Sequence, residues 1–212
     1  VGDIKRIPFV DTVSGRIISD LSEKNVKAKE YLNSFRLIET NFTNNPLKNL
    51  EATTLKDRIL SFLNFENFTI TQVLLNEAVI NSLVFDIYDL SPFDLIQVES
   101  KMGKTIGSLP VAATAKAAFQ KDLKEIIQPV KEFIEDLPLQ EFDEREISEV
   151  KKSLPTLYQG NNNFEEFCIR HQVNPINVWY WFRESNVLPE ARAAEIALEF
   201  LADTIRTLLQ ED

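Results

Sequence analysis

Four polar residues near the carboxyl end of the chain recur at every third position: Asn174, Asn177, Tyr180 and Arg183. In a helix, this spacing keeps side chains close to one face. An asparagine amide can pair with an adenine edge and an arginine guanidinium with a guanine edge, whereas a tyrosine hydroxyl suits a phosphate contact. If that face points outward, these four residues are the candidate DNA-binding residues.

The surrounding segment, residues 164–189, reads FEEFCIRHQVNPINVWYWFRESNVLP and predicts two short helices joined by a tight turn. Asn163 is a suitable cap for the first helix, and Asn174-Pro175 is a suitable start for the second. This is the pattern of a helix-turn-helix, whose second helix commonly enters the DNA major groove. Gln172 stands in the turn where glycine is usual. The same pattern is also typical of an ordinary helical hairpin whose aromatic residues pack beneath the final helix.

The apolar residues of this segment fall where a helix-turn-helix needs contacts with its domain core. They are Phe167, Val173, Val178 and Trp181, and the small Cys168 falls where the two helices cross. The exposed remainder of the aromatic run would then comprise Trp179, Tyr180 and Phe182. Because aromatic residues dominate protein interfaces, this remainder supports an alternative in which the segment binds a partner protein.

Other reactive residue types give weaker signals. The only cysteine, Cys168, and the only histidine, His171, lie three residues apart. They could resemble a nucleophile and its base, but a structural role is favoured on so short a helix. The acidic run between Glu132 and Glu146 is typical of a solvated surface. We find no phosphate-binding loop. We therefore predict no catalytic residue and no metal site in this chain.

The 212 residues carry a formal net charge of -10, which weighs against a non-specific DNA-binding protein, since phosphate contacts need basic residues. Residues 161–212 hold 4 basic and 9 acidic side chains, so the candidate DNA-binding segment is itself acidic. A single cysteine favours a reducing cytoplasm. No signal peptide or run of about 18 apolar residues is evident, and we expect a cytoplasmic location and no membrane contact. Because the chain begins with valine, we expect a fragment or a processed product.

Helical periodicity dominates after an irregular or extended opening, and it predicts an all-α multi-helix bundle with a helix-turn-helix-like subdomain at its carboxyl end. We divide the chain into a tail of a preceding domain (1–18), a helical bundle (19–157) and the helix-turn-helix-like part with a closing helix (158–212). The first predicted helix begins at Ser19 or Asp20. Further helices are predicted over residues 51–64, 71–88, 91–103, 111–137 with a break at Pro129, 144–153 and 189–210. In the last of these, the apolar residues from Ala193 to Leu208 form one stripe.

Two segments resemble a known family. Residues 81–103, NSLVFDIYDLSPFDLIQVESKMG, resemble the closing segment of large adenine-specific DNA methyltransferases, which include single-chain type II restriction–modification enzymes and the PglX proteins of bacteriophage-exclusion systems. Residues 167–205, from FCIRHQVNP to LADTI, look like a segment downstream of the methyltransferase in some of these proteins. The opening VGDIKRIPF looks like the end of their recognition segment. Together these pieces cover about a third of the chain.

The resemblance implies an accessory region of such a methyltransferase, in restriction or phage defence, that positions DNA or braces the recognition domain. The family holds a flipped adenine with an Asn-Pro-Pro-aromatic motif, and the nearest strings here, Asn45-Pro46-Leu47 and Asn174-Pro175-Ile176, do not match it. S-adenosylmethionine is therefore expected in the parent protein and no cofactor in this segment. Expected partners are DNA, through the parent, and a methyltransferase domain.

Overall fold

The computed structural model describes residues 14–49, 52–124, 126–160 and 162–210. In this part of the chain it is 74% helical, with nine α-helices and no strand, which confirms the predicted all-α multi-helix fold. The α-helices are α1 (Ser14–Asn33), α2 (Leu55–Ile87), α3 (Pro92–Met102), α4 (Ala113–Asp122), α5 (Gln128–Asp136), α6 (Glu144–Ser153), α7 (Phe164–His171), α8 (Pro175–Ser185) and α9 (Glu190–Gln210). Three short 3-10 helices lie at Pro46–Asn49, Ile106–Ser108 and Leu154–Thr156.

Helix α1 includes Ser14, so the prediction of a helix beginning at Ser19 or Asp20, after an extended tail, is wrong over residues 14–18. The rest of that tail, residues 1–13, lies outside the described residues. The helical face extends further back than expected because Ile17 already packs against the core beside Leu21.

One helix, α2, replaces the two helices predicted over residues 51–64 and 71–88. Glu66 and Asn67 lie between the two predicted helices, and both side chains are buried and bonded to distant groups. Arg192 donates to the Glu66 carboxylate, and the Tyr158 hydroxyl donates to Asn67 Oδ1 at 2.6 Å. No glycine or proline interrupts α2, so its helical hydrogen bonds continue through this polar stretch.

Helix α2 is the central element of the fold, because α1, α5, α7, α8 and α9 all contact it. By length and composition alone α2 is also apolar enough to cross a membrane, and 39% of its most apolar window is buried inside the structure. A helix that is apolar on most of its circumference is typical either of a protein core or of a membrane span. The expectation of no membrane contact therefore stays a prediction.

Two of the shorter helices begin with local capping signals. Ser91 and Asp94 form a capping box at α3, and Asp143 and Glu146 form one at α6. Such a box satisfies backbone N–H groups that have no partner inside the helix. Residues 111–137 contain two separate helices, which confirms the predicted interruption, but α4 ends at Asp122, before Pro129, which lies in the first turn of α5.

Helices α7 and α8 occupy the predicted hairpin. Asn163 Oδ1 accepts from the backbone N–H of Glu166 at 2.9 Å and caps α7. Gln172 ends α7 in the left-handed conformation, with φ 53°, which is why glycine is the usual residue at this position. Helix α8 then packs against α2, α4, α6 and α7. One cluster of buried residues extends from Leu21 to Ile196 and crosses the predicted domain boundary at residues 157 and 158.

Candidate interaction surface

The first predicted DNA-binding residue, Asn174, is fully buried. Its Nδ2 donates to the backbone carbonyls of Ile106 and Leu109, both at 3.3 Å. Its Oδ1 accepts from the N–H of Ile176 and so caps α8. The expectation that Asn174 faces outward is therefore wrong, because both ends of its amide satisfy buried backbone groups.

Asn177 is also fully buried, one turn further along α8. Its Nδ2 donates to the carbonyl of Pro110 at 2.9 Å, and its Oδ1 accepts from the N–H of Ala112 at 2.8 Å. The amide thus satisfies one carbonyl and one N–H group of the non-helical backbone before α4. Its expected outward orientation is wrong for the same physical reason as that of Asn174.

The other two predicted DNA-binding residues, Tyr180 and Arg183, keep partial exposure. The Arg183 guanidinium lies 4.4 Å from the centre of the Trp179 ring and 5.6 Å from that of Tyr180. Its Nη1 also donates to Asp122 Oδ2 at 2.7 Å, which joins α8 to the end of α4. Arg183 is thus held by its own protein on an aromatic surface and beside a carboxylate, which leaves it less free to reach a base edge.

The aromatic run of α8 lies mostly inside the protein. Trp179, Trp181 and Phe182 are 2%, 3% and 0% exposed. Trp181 was expected in the core, and it packs edge-to-face against Phe142. Trp179 and Phe182 were expected on the exposed remainder that would bind a partner. That expectation is wrong, because α8 is enclosed by α2, α4, α6 and α7.

Cys168 and His171 are placed as structural residues. The Cys168 side chain is fully buried, and burial raises the pKa of its thiol well above the usual range, which disfavours a reactive thiolate. The His171 ring lies 4.3 Å from the Phe167 ring, centre to centre. Burial and the charge of Arg170 lower the pKa of His171. In the part of the chain that the structure describes, no group of three His, Cys, Asp or Glu side chains is arranged to hold a metal ion.

The largest unexplained feature is the side of α9 that faces solvent. Nine residues between Ala191 and Leu209 are exposed, and Arg206 is the only one that is not apolar. We call the other eight the α9 outer face: Ala191, Ala194, Leu198, Leu201, Ala202, Ile205, Leu208 and Leu209. Its five leucine and isoleucine side chains are between 49% and 72% exposed. Contiguous exposed apolar surface of this kind is typical of an interaction site.

The opposite side of α9, which faces α2, carries charge. Arg192 Nε donates to Glu66 Oε2 at 3.2 Å, a second bond joins the same two groups, and Glu66 is only 6% exposed. Burial by itself lowers the pKa of Arg192, but the charge and hydrogen bonds of Glu66 raise it overall. About two turns before the end of α9, the buried Asp203 pairs with Lys48 at 2.7 Å. These pairs and the buried Ile196 define the docked side of α9.

The sequence stripe from Ala193 to Leu208 is therefore divided between two sides of α9. Ile196 is buried and Phe200 packs against the core, whereas Leu201, Ile205 and Leu208 are exposed. The predicted stripe did not include Leu198 and Leu209, which are exposed. Their presence in the sequence makes α9 apolar on more of its circumference than one docked side needs, and this could have indicated a second apolar face.

No protein-family model matches this chain, and neither a curated protein nor a solved structure is detectably similar to it. An uncharged apolar strip on one side of a helix, supported from behind by ion pairs, suits the binding of a second apolar helix.

Proposed function

We propose that this chain is a helical protein-interaction module that binds an apolar helix along the α9 outer face. The observation that carries the proposal is that every leucine of α9 is exposed, together with Ile205, although the docked side of the same helix already buries Ile196 and the Arg192–Glu66 pair. A helix that merely covered the bundle would carry polar residues on its exposed side.

The spacing within the α9 outer face defines the chemistry of the partner. Ala191, Ala194, Leu198, Leu201, Ile205 and Leu208 alternate in steps of three and four residues. This is the repeat by which two helices pack side by side. The partner is therefore a helix with an uncharged apolar face of the same repeat, and not an extended peptide or one that binds through its charges.

DNA contact through α8 has less support from the geometry. Two of its four predicted residues are buried, and Arg183 is paired with Asp122. The acidic net charge of -10 also opposes binding to phosphates. The accessory role in a DNA methyltransferase stays a prediction from the sequence, and it is compatible with helix binding, since such a region could brace a neighbouring domain.

The proposal can be tested with a synthetic 20-residue peptide that has leucines three and four positions apart in a glutamine background. The full chain should bind the labelled peptide in an anisotropy titration, and the affinity should change little between 50 and 500 mM salt, because apolar contacts carry the binding. Leu201→Asp and Leu208→Asp should each abolish it.

Leu139→Asp is the matched control, since Leu139 is 62% exposed but lies away from α9. It should leave peptide binding intact. Failure of the chain to bind the peptide, or equal loss in the Leu139 variant, would overturn the proposal. Steep weakening with salt would point instead to an electrostatic partner.

A further inference from the structure

We propose that the helix bound by the α9 outer face is α9 of a second copy of this chain, in antiparallel orientation. This inference rests on the proposed function and names its partner. The six residues that define the repeat are spaced 3, 4, 3, 4 and 3 residues apart, from Ala191 to Leu208. The series reads the same in both directions, so a copy of α9 turned end to end presents the same spacing.

Side-chain size favours the antiparallel orientation. The amino-terminal half of the repeat carries Ala191 and Ala194, and the carboxyl-terminal half carries Ile205 and Leu208. Antiparallel pairing places Ala194 opposite Ile205 and Ala191 opposite Leu208, with Leu198 opposite Leu201 at the centre. Each layer then contains at least one large side chain, so that no layer consists of alanine alone. Parallel pairing would set alanine against alanine at one end, which leaves cavities there.

A small residue beside the central layer allows close approach of the two helices. Ala202 lies next to Leu198 and Leu201 on the exposed side of α9, where a larger side chain would hold the two backbones apart. The pairing is symmetric, because the same face is used by both copies, and it closes as a dimer.

Electrostatics also favour this orientation, in spite of the acidic net charge. Antiparallel helices place the positive end of one helix dipole beside the negative end of the other. Arg206 is the one charged residue among the exposed residues from Ala191 to Leu209. In the register above, it lies on the same side of the contact as Glu195 of the second copy, about 3 Å away along the helix axis.

The contact is modest in size, so the dimer should depend on concentration. The repeat from Ala191 to Leu208 is about 26 Å long. A single pair of helices of this length falls below the roughly 800 Å² per partner of a standard interface. Sedimentation equilibrium of the full chain should therefore show a monomer–dimer equilibrium, which Leu201→Asp weakens about tenfold or more and Leu139→Asp leaves unchanged.

Cysteine cross-linking tests the orientation. An Ala194→Cys protein mixed with a tagged Ile205→Cys protein should form a mixed disulfide dimer under mild oxidation, whereas each variant alone should stay largely monomeric. The native Cys168 is buried and should not compete. Cross-linking of each variant with itself, without the mixed product, would show parallel pairing and overturn the inference.

A chain that remains monomeric at millimolar concentration and forms no cross-link would also overturn it. Failure of self-pairing remains distinguishable from failure of the proposed function. In the first case the leucine-repeat peptide still binds at the α9 outer face, and in the second neither the peptide nor a second copy binds.

Discussion

Arg192 and Glu66 form a buried ion pair that joins α9 to the middle of α2, across 126 positions in the sequence. Their side chains are only 13% and 8% exposed. Arg192 also donates to Glu195 on its own helix, and Arg36 pairs with the other oxygen of Glu195 at 3.3 Å. This chain of alternating charges determines which side of α9 meets the bundle.

Arg192→Met should destabilise the protein by about 3–5 kcal/mol, because it leaves the Glu66 carboxylate buried without a counter-charge. The double variant Glu66→Leu/Arg192→Met should recover most of that loss, since both buried charges are then removed. Urea unfolding measures both. Arg145→Met, in the exposed pair with Glu149, is the control and should change stability by no more than about 0.5 kcal/mol. Equal effects of Arg192→Met and Arg145→Met would show that the buried pair is unimportant.

Asn177→Ala should cost about 1–3 kcal/mol for each buried backbone group that loses its partner, namely the carbonyl of Pro110 and the N–H of Ala112. Asn177→Asp should also destabilise, because a carboxylate cannot donate to the Pro110 carbonyl. Chemical denaturation gives the free energy of unfolding. Gln210→Ala, at the exposed end of α9, serves as the control. If Asn177→Ala left the free energy of unfolding unchanged, Asn177 would again be a candidate for binding an external ligand.

Arg183→Ala should lower stability by about 1 kcal/mol, through loss of the contact with Trp179 and the pair with Asp122. We expect no change in DNA affinity. If Arg183 instead reads a guanine edge, as the sequence suggested, DNA binding by the intact protein should weaken by about 1–3 kcal/mol and depend steeply on salt. Binding titrations at two salt concentrations separate these outcomes, with the exposed Arg170→Ala as control.

His171 should make stability depend on pH in the mildly acidic range. Burial and Arg170 lower its pKa in the folded state below the ordinary value of 6.5. The unfolded chain therefore binds a proton more readily, so the contribution is present above about pH 6.5 and is lost as the pH falls toward the folded-state pKa. His171→Gln should flatten the difference in urea midpoint between pH 5 and pH 7.5. An unchanged difference would exclude His171 as its source.

Features with local causes could be predicted from the sequence, and features with distant causes could not. The starts of α3, α6 and α8 follow from Ser91, Asp143 and Asn174, each of which bonds within its own first turn. The amide of Asn177 pairs with backbone about 65 residues away, so its direction depends on the packing of α8 against the segment before α4.

The same distinction explains the unexpected length of α2 and the rotation of α9. Glu66 can be buried inside α2 because Arg192, 126 positions later in the sequence, pairs with it. The apolar residues of α9 identified a helix, but the docked side was decided by Arg192 and Asp203, whose partners lie in other parts of the chain. The apolar pattern alone therefore did not separate the docked side of α9 from its exposed side.

The continuous cluster of buried residues from Leu21 to Ile196 also determines how the protein unfolds. Because α7 and α8 bury their apolar side chains against the same helix that supports α1 and α5, neither half can melt while the other keeps its shape. Heating should thus produce one calorimetric transition, with equal calorimetric and van't Hoff enthalpies. If the chain is divided into two separate fragments near Gly160, neither fragment should fold, because each would lose part of the shared core.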